Sequence, residues 1–201
     1  MRNYRIPNER HRENVWRVQK LAQDFLIEDI WEYPIRFYES EGDSLHAFRK
    51  QAVEPMIKSL LTSPTISGSL FRFRELFGSV FGVDRQVNRL PVPGCKEISL
   101  YDRMDVEEKR RHNPALRIDM ESDNYLSFRS VYAFPEETLD ELSNLTEHSL
   151  MHYAWLKNSD SAHKVQMAVY VKHRNAAGKV YMDLIKPFRH FMYTRFYSRK
   201  R

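Results

Sequence analysis

A single cysteine in 201 residues, Cys95, excludes an internal disulfide and any zinc cluster built from thiolates. Only six glycines are present, so long flexible linkers are not expected. No apolar run reaches the roughly 18 residues of a membrane span. The start, Met1-Arg-Asn-Tyr-Arg-Ile-Pro7, carries charge but lacks the apolar stretch of a secretory signal. These absences predict a soluble protein of a reducing, cytoplasmic setting. In that setting the glycosylation pattern at Asn144-Leu145-Thr146 is a chance match. There are no internal repeats or low-complexity tracts, and no Gly-x-Gly-x-x-Gly turn for a dinucleotide.

What is present suits one packed domain. Hydrophobic residues make up 42% and aromatics 13%, with 12 Phe, 11 Tyr and 3 Trp. The net charge of +5 is uneven: residues 1–20 carry +4, residues 172–201 carry +8, and the stretch between carries −7. A nucleic-acid binder usually shows a basic stripe across its body, so no nucleic-acid partner is expected. Either the basic ends neutralise the acidic body, or they offer a contact to an anionic membrane surface.

Periodicity then places elements. Residues 1–20 read as a loose basic lead-in, with Val15, Trp16 and Val18 as anchors, followed by one domain over 21–201. Phe25–Ile35 reads as a strand, with Pro34 at an edge or end. A helix capped by Asp43 carries Leu45, Phe48, Ala52, Met56 and Leu60 on one face, and Pro55 should kink or divide it. A second helix from about Ser69 carries Leu70, Phe73, Leu76, Phe77, Val80 and Phe81. Leu90–Cys95 is a rigid turn, Glu97–Met104 a strand, and Asp105–His112 a solvated loop or short surface helix. Tyr125–Phe134 alternates as a strand. Pro135 opens a turn or short helical start, and a strand runs from about Leu142 to Leu156. Lys164–Lys172 alternates cleanly, and Lys179–Tyr197 repeats apolar residues at helical spacing. The order predicts an α+β fold. A curved antiparallel sheet wraps around a long C-terminal helix, with two further helices after the first strand.

Two stretches carry a resemblance. One is Glu141-Leu-Ser-Asn-Leu-Thr-Glu-His-Ser-Leu-Met-His-Tyr-Ala-Trp155. The other is Gln166-Met-Ala-Val-Tyr-Val-Lys172 with Gly178-Lys-Val-Tyr-Met-Asp-Leu-Ile-Lys-Pro-Phe-Arg-His190. Together they resemble the bacterial domain of unknown function 2867 family, from about Val15 to Tyr197. That family is similar to the helix-grip fold (START or Bet v 1-like), whose element order agrees with the one above. The resemblance implies a fold and no reaction. Related domains occur fused to a dehydrogenase-like cofactor domain, which this chain lacks.

Candidate chemistry is sparse. His148 and His152 stand four apart and share a face in either secondary structure. They lack the third and fourth ligands of a metal site, so no metal is expected. They serve either a pocket or hydrogen bonds at a sheet face. The opposite face, with Leu145, Met151, Tyr153 and Trp155, is greasier, which argues against histidines pointing into the core. Asp102, between Tyr101 and Arg103, is either a general base or an exposed strand-end residue. Pro187 is a pocket gate or a packing bend. Cys95 reads as an inert thiol.

The preferred expectation is a binding module. A small apolar or amphipathic ligand would sit between sheet and C-terminal helix, lined by Tyr181 and Phe188, with Trp31, Tyr101, Phe128 and Tyr132 and with His148 and His152 at its rim. No cofactor is called for. The alternatives are a cyclase, dehydratase or hydrolase on the same scaffold, using His148, His152 or Asp102, and a peripheral membrane or partner-binding protein using its basic ends.

Overall fold

The computed structural model describes residues 4–35, 45–55, 90–112, 119–121, 127–143, 146–157 and 163–198. Among the described residues, seven strands form one curved, unclosed antiparallel sheet. They are β1 (Arg5–Ile6), β2 (Leu26–Ile35), β3 (Asp119–Glu121), β4 (Ser127–Ala133), β5 (Glu137–Ser143), β6 (Glu147–Lys157) and β7 (His163–His173), in the order β1-β2-β7-β6-β5-β4-β3. The helices are α1 (Glu9–Arg12), α2 (Arg17–Leu21), α3 (Leu45–Phe48), α4 (Val106–Arg111) and α5 (Ala176–Ser198). The protein is α+β, and among the described residues no helix is long and apolar enough to cross a membrane.

Both faces of the sheet are covered, so there are two cores. On one face, which we call the helix side, Trp31, Tyr153, Val165, Met167, Val169 and Val171 pack against α3 and α5. On the other, the strap side, Ile30, Leu139, Leu150, Ala168 and Tyr170 pack against α2 and residues 92–104. The period-two alternation of β7 sorts its residues between the two. An irregularity in β2 between Ile27 and Asp29 resets that alternation, so Ile27 meets Tyr170 and Asp29 meets Val169.

Helix α5 begins where the Asn175 side chain accepts the Gly178 N–H at 2.9 Å. Its inward stripe, buried Met182 and Arg189 with half-buried Ile185 and Tyr193, keeps three-to-four spacing. Pro187 does not divide it. Pro187 and Asp183, whose carbonyl loses its usual donor, are both exposed, so water can serve that carbonyl. Ahead of Pro55 the backbone widens into a π turn over Arg49–Val53, where the Glu54 N–H reaches the Arg49 carbonyl.

Several expectations need correcting. Residues 97–104 are not a strand, because local groups take the backbone. The Ser99 hydroxyl accepts the Tyr101 N–H, and the Leu100 N–H goes to the Glu141 carboxylate at 3.1 Å. Leu100–Arg103 is one 3-10 turn, and Ile98 is exposed. Pro135 starts no helix. Phe134 and Glu137 close a tight turn, and two strands, β5 and β6, stand where one was expected. Residues 105–112 do form a short helix, α4, under a reciprocal Asp105–Glu108 cap, with Glu108 and His112 buried. The lead-in is packed down: His11 and Val18 are fully buried. Asp43, the helix expected from Ser69, and Arg199–Arg201 lie outside the described residues.

Candidate functional site

The strap side collects an unusual set of ionisable groups. Strand β5 places Glu137, Leu139 and Glu141 on this face, and β6 places His148, Leu150 and His152. Antiparallel register sets Glu137 opposite Ala154 and Glu141 opposite Leu150, so each carboxylate reaches diagonally to a histidine. His152 Nε2 lies 2.9 Å from Glu137, and His148 Nε2 lies 3.3 Å from Glu141. Two carboxylate–imidazole pairs thus repeat along one hairpin, divided by fully buried leucines.

Glu137 is the hub. It accepts the Arg17 N–H at 3.1 and 3.2 Å and the Tyr132 hydroxyl at 2.8 Å, with the Arg17 guanidinium at 3.8 Å. Burial alone would push its pKa up. The bond to His152 and its charge, then the Arg17 N–H and Tyr132, outweigh burial and bring it below the usual value. The same surroundings act on Tyr132 in reverse: burial, then Glu137, raise its pKa well above the usual phenol value. An ionised Glu137 needs a proton on His152 Nε2, so Nδ1 is the ring nitrogen left for another partner. That Nδ1 is buried and meets no hydrogen-bonding group among the described residues, and the same holds for His148 Nδ1.

His11, from α1, lies over this pair, its ring centroid 5.2 Å from that of His152. Its Nδ1 donates to Gln166 Oε1 at 2.5 Å, and its Nε2 accepts the Tyr170 hydroxyl at 2.8 Å. Both nitrogens of the neutral ring are therefore satisfied. Burial, and then His152 beside it, lower the His11 pKa to about 4. The chain continues from Gln166 Nε2 to Glu32 at 3.3 Å. Trp16 stacks on His11 at 6.3 Å and tilts over His152 at 5.6 Å, with its Nε1 buried and unpartnered among the described residues. Arg17 holds the cover down through Glu108 at 3.0 Å.

The helix side is charged in a different way. Asp29 is fully buried and takes Arg189 at 2.5 Å, His190 at 2.9 Å and Arg5 at 3.1 Å. Burial opposes its ionisation, but Arg189 and His190 prevail and its pKa falls. Arg49 on the π turn reaches Asp140 at 2.5 Å and Ser130 at 3.1 Å.

The residues singled out from sequence divide between these regions. His152 and Tyr132 meet at Glu137. His148 lies one repeat along, facing Phe25 edge-on at 5.8 Å. Both histidines are fully buried on the strap side, away from α5. The greasier-face argument missed this because it assumed only one covered face. Tyr101 stands beside His112 at 6.3 Å, and Asp102 is exposed. Trp31 packs edge-on against His190 and Tyr193 beneath α5. The side chains of Phe128, Tyr181 and Phe188 lie outside the described ones. Cys95 is half-buried, near Arg103, Lys172 and Asp24. Among the described residues no three His, Cys, Asp or Glu side chains are grouped to hold a metal ion.

Glu137, Glu141, His11 and Trp16 were missed. One signal was available: Glu-x-Leu-x-Glu followed closely by His-x-Leu-x-His interleaves ionisable groups with leucine on one strand face, which a solvated face has no reason to do.

These features define an α+β protein with a buried acid–base cluster on one sheet face and arginine–aspartate clamps on the other. Residues 21–196 match the model of the family described as protein of unknown function DUF2867, and the chain belongs to that family. No curated protein and no solved structure matches it.

Proposed function

We propose that this protein binds a small amphipathic molecule between the helix side of its sheet and α5, on a scaffold of the helix-grip kind. The observation that carries the reading is a set of unsatisfied polar atoms in an apolar wall. Thr138 Oγ1, Ser149 Oγ and Arg189 Nε are buried without a hydrogen-bond partner among the described residues. They share the helix side with Trp31, Tyr153, Met167 and Val169. An unpaired buried polar group costs about 1–3 kcal/mol. A ligand with an apolar body and an acceptor oxygen would recover that cost while covering the wall. A purely apolar ligand would not, so the amphipathic class is preferred.

Native mass spectrometry of the full chain, purified without detergent or organic solvent, tests this. The expected result is an adduct that disappears on denaturation and is lost in Thr138→Val/Ser149→Ala. Because that variant removes only unpaired hydroxyls, its unfolding midpoint should not fall. A bare mass under all gentle conditions would overturn the reading.

A further inference from the structure

We infer that the outward face of α5 is a docking surface for an anionic lipid bilayer, with the helix lying flat in the headgroup layer. The inward stripe of α5 is taken up by the sheet, yet its outward row is apolar as well. Val180 is 53% exposed and Leu184, four residues on, is 47% exposed. Exposed Pro187 follows three residues later. A helix that faces only water carries polar or charged residues at such positions. One flank of the row holds Lys179, Asp183 and Lys186. Neither lysine has an ion-pair partner among the described residues, so both are available to phosphate headgroups. Asp183 stands four residues after one lysine and three before the other, so its charge is offset by both.

Charge and apolarity together choose the partner. Of the +8 over residues 172–201, Lys172 and Arg189 are matched by Asp24 and Asp29, which leaves +6. An anionic surface is drawn to that excess. A nucleic acid would meet the same cations but leave Val180, Leu184 and Pro187 in water. A bilayer covers them with acyl chains while its headgroups meet the lysines. Among the described residues no helix is long and apolar enough to span a bilayer, so the contact runs along its surface. This surface is the far side of α5 from the proposed ligand wall and stands without it.

The test is co-sedimentation of the full chain with vesicles of equal parts phosphatidylglycerol and phosphatidylcholine, against vesicles of phosphatidylcholine alone. Binding is expected only to the anionic vesicles, and it should weaken about 10-fold from about 50 to about 200 mM salt. Lys179→Gln/Lys186→Gln removes two charges and should weaken binding on the order of 30-fold. Val180→Gln/Leu184→Gln puts good helix formers at exposed positions, so its unfolding midpoint should hold while binding falls on the order of 10-fold. Arg10→Gln/Val15→Ser changes the strap side and should bind like the wild type. No binding to anionic vesicles at low salt, α5 variants that bind undiminished, or an equal loss in the strap variant would each overturn the proposal. So would retention on duplex DNA as strong as that on the anionic vesicles.

Discussion

The two faces of the sheet bury similar numbers of carboxylates and treat them differently. On the helix side, Asp29 and Asp140 each face an arginine, whose charge is permanent, and Asp29 takes His190 as well. On the strap side, Glu137 and Glu141 face histidines, whose charge depends on pH. The first arrangement is a set of clamps fastening α5 and the π turn to the sheet. The second repeats two carboxylate–imidazole pairs along one hairpin. Arginine pairs therefore fasten separate elements to the sheet, whereas the imidazole pairs lie within one hairpin.

The sharpest break of that comparison removes one carboxylate from each face. Asp29→Asn leaves the buried Arg189 charge, among the described residues, with Glu28 at 3.4 Å as its remaining carboxylate, so it should cost about 3–5 kcal/mol. Glu141→Gln still offers an oxygen to the Leu100 N–H or to His148, and should cost about 1–1.5 kcal/mol. Urea unfolding at pH 7 checks both. Equal losses would mean that the histidine pairs act as fixed ion pairs too.

Acid should separate the faces next. The folded His11 pKa lies near 4, below its unfolded value of 6.5, so the unfolded chain binds the extra proton first. Stability from this residue is complete above pH 6.5 and falls as pH drops toward 4, by about 3 kcal/mol at most. Asp29 has a lowered pKa of the carboxylate kind, so its contribution is kept above the unfolded aspartate range and lost only below it. The strap should loosen before the helix does. Trp16 reports on one face and Trp31 on the other. In variants with phenylalanine at position 155 and at one of these two positions, Trp16 fluorescence should shift between pH 6 and 4.5 while Trp31 holds. His11→Gln should remove that early phase. If both tryptophans shift together, the faces are not independent.

Legibility in the sequence followed the same division. Strand β7 and helix α5 were readable because one period changes cleanly into another at His173–Gly178. Strand β5 was hidden because Thr138, Leu139 and Asp140 are all buried, which erases the alternation a half-exposed strand shows. The 97–104 segment misled because Ser99 and the distant Glu141 capture its backbone, and propensity does not register such side-chain competition. Of the acid–base cluster, the two histidines were visible as a spaced pair. Their carboxylates depended on hairpin register, and His11 depended on a contact with Gln166 across 155 residues of sequence. Local pattern carries no trace of a partner that far away.

One glycine on each side extends the comparison, and the two effects arise from different physics. A Cβ on Gly178 would stand 2.2 Å from the Thr146 carbonyl oxygen, a backbone atom that cannot swing aside. Helix propensity favours alanine there by about 0.8–1 kcal/mol. The collision should win, because α5 must lift from the start of β6 to relieve it, and Gly178→Ala should lose about 1–3 kcal/mol net. Gly94 has open space around it, with only Lys172 Nζ at 3.9 Å, but its φ of +72° lies in the left-handed region. Gly94→Ala should cost about 1 kcal/mol through torsion alone. Gly94→Asn should recover part of it, since asparagine tolerates that backbone. No residue type should rescue Gly178, and a rescue there by asparagine would show that the α5 contact is looser than a clamp requires.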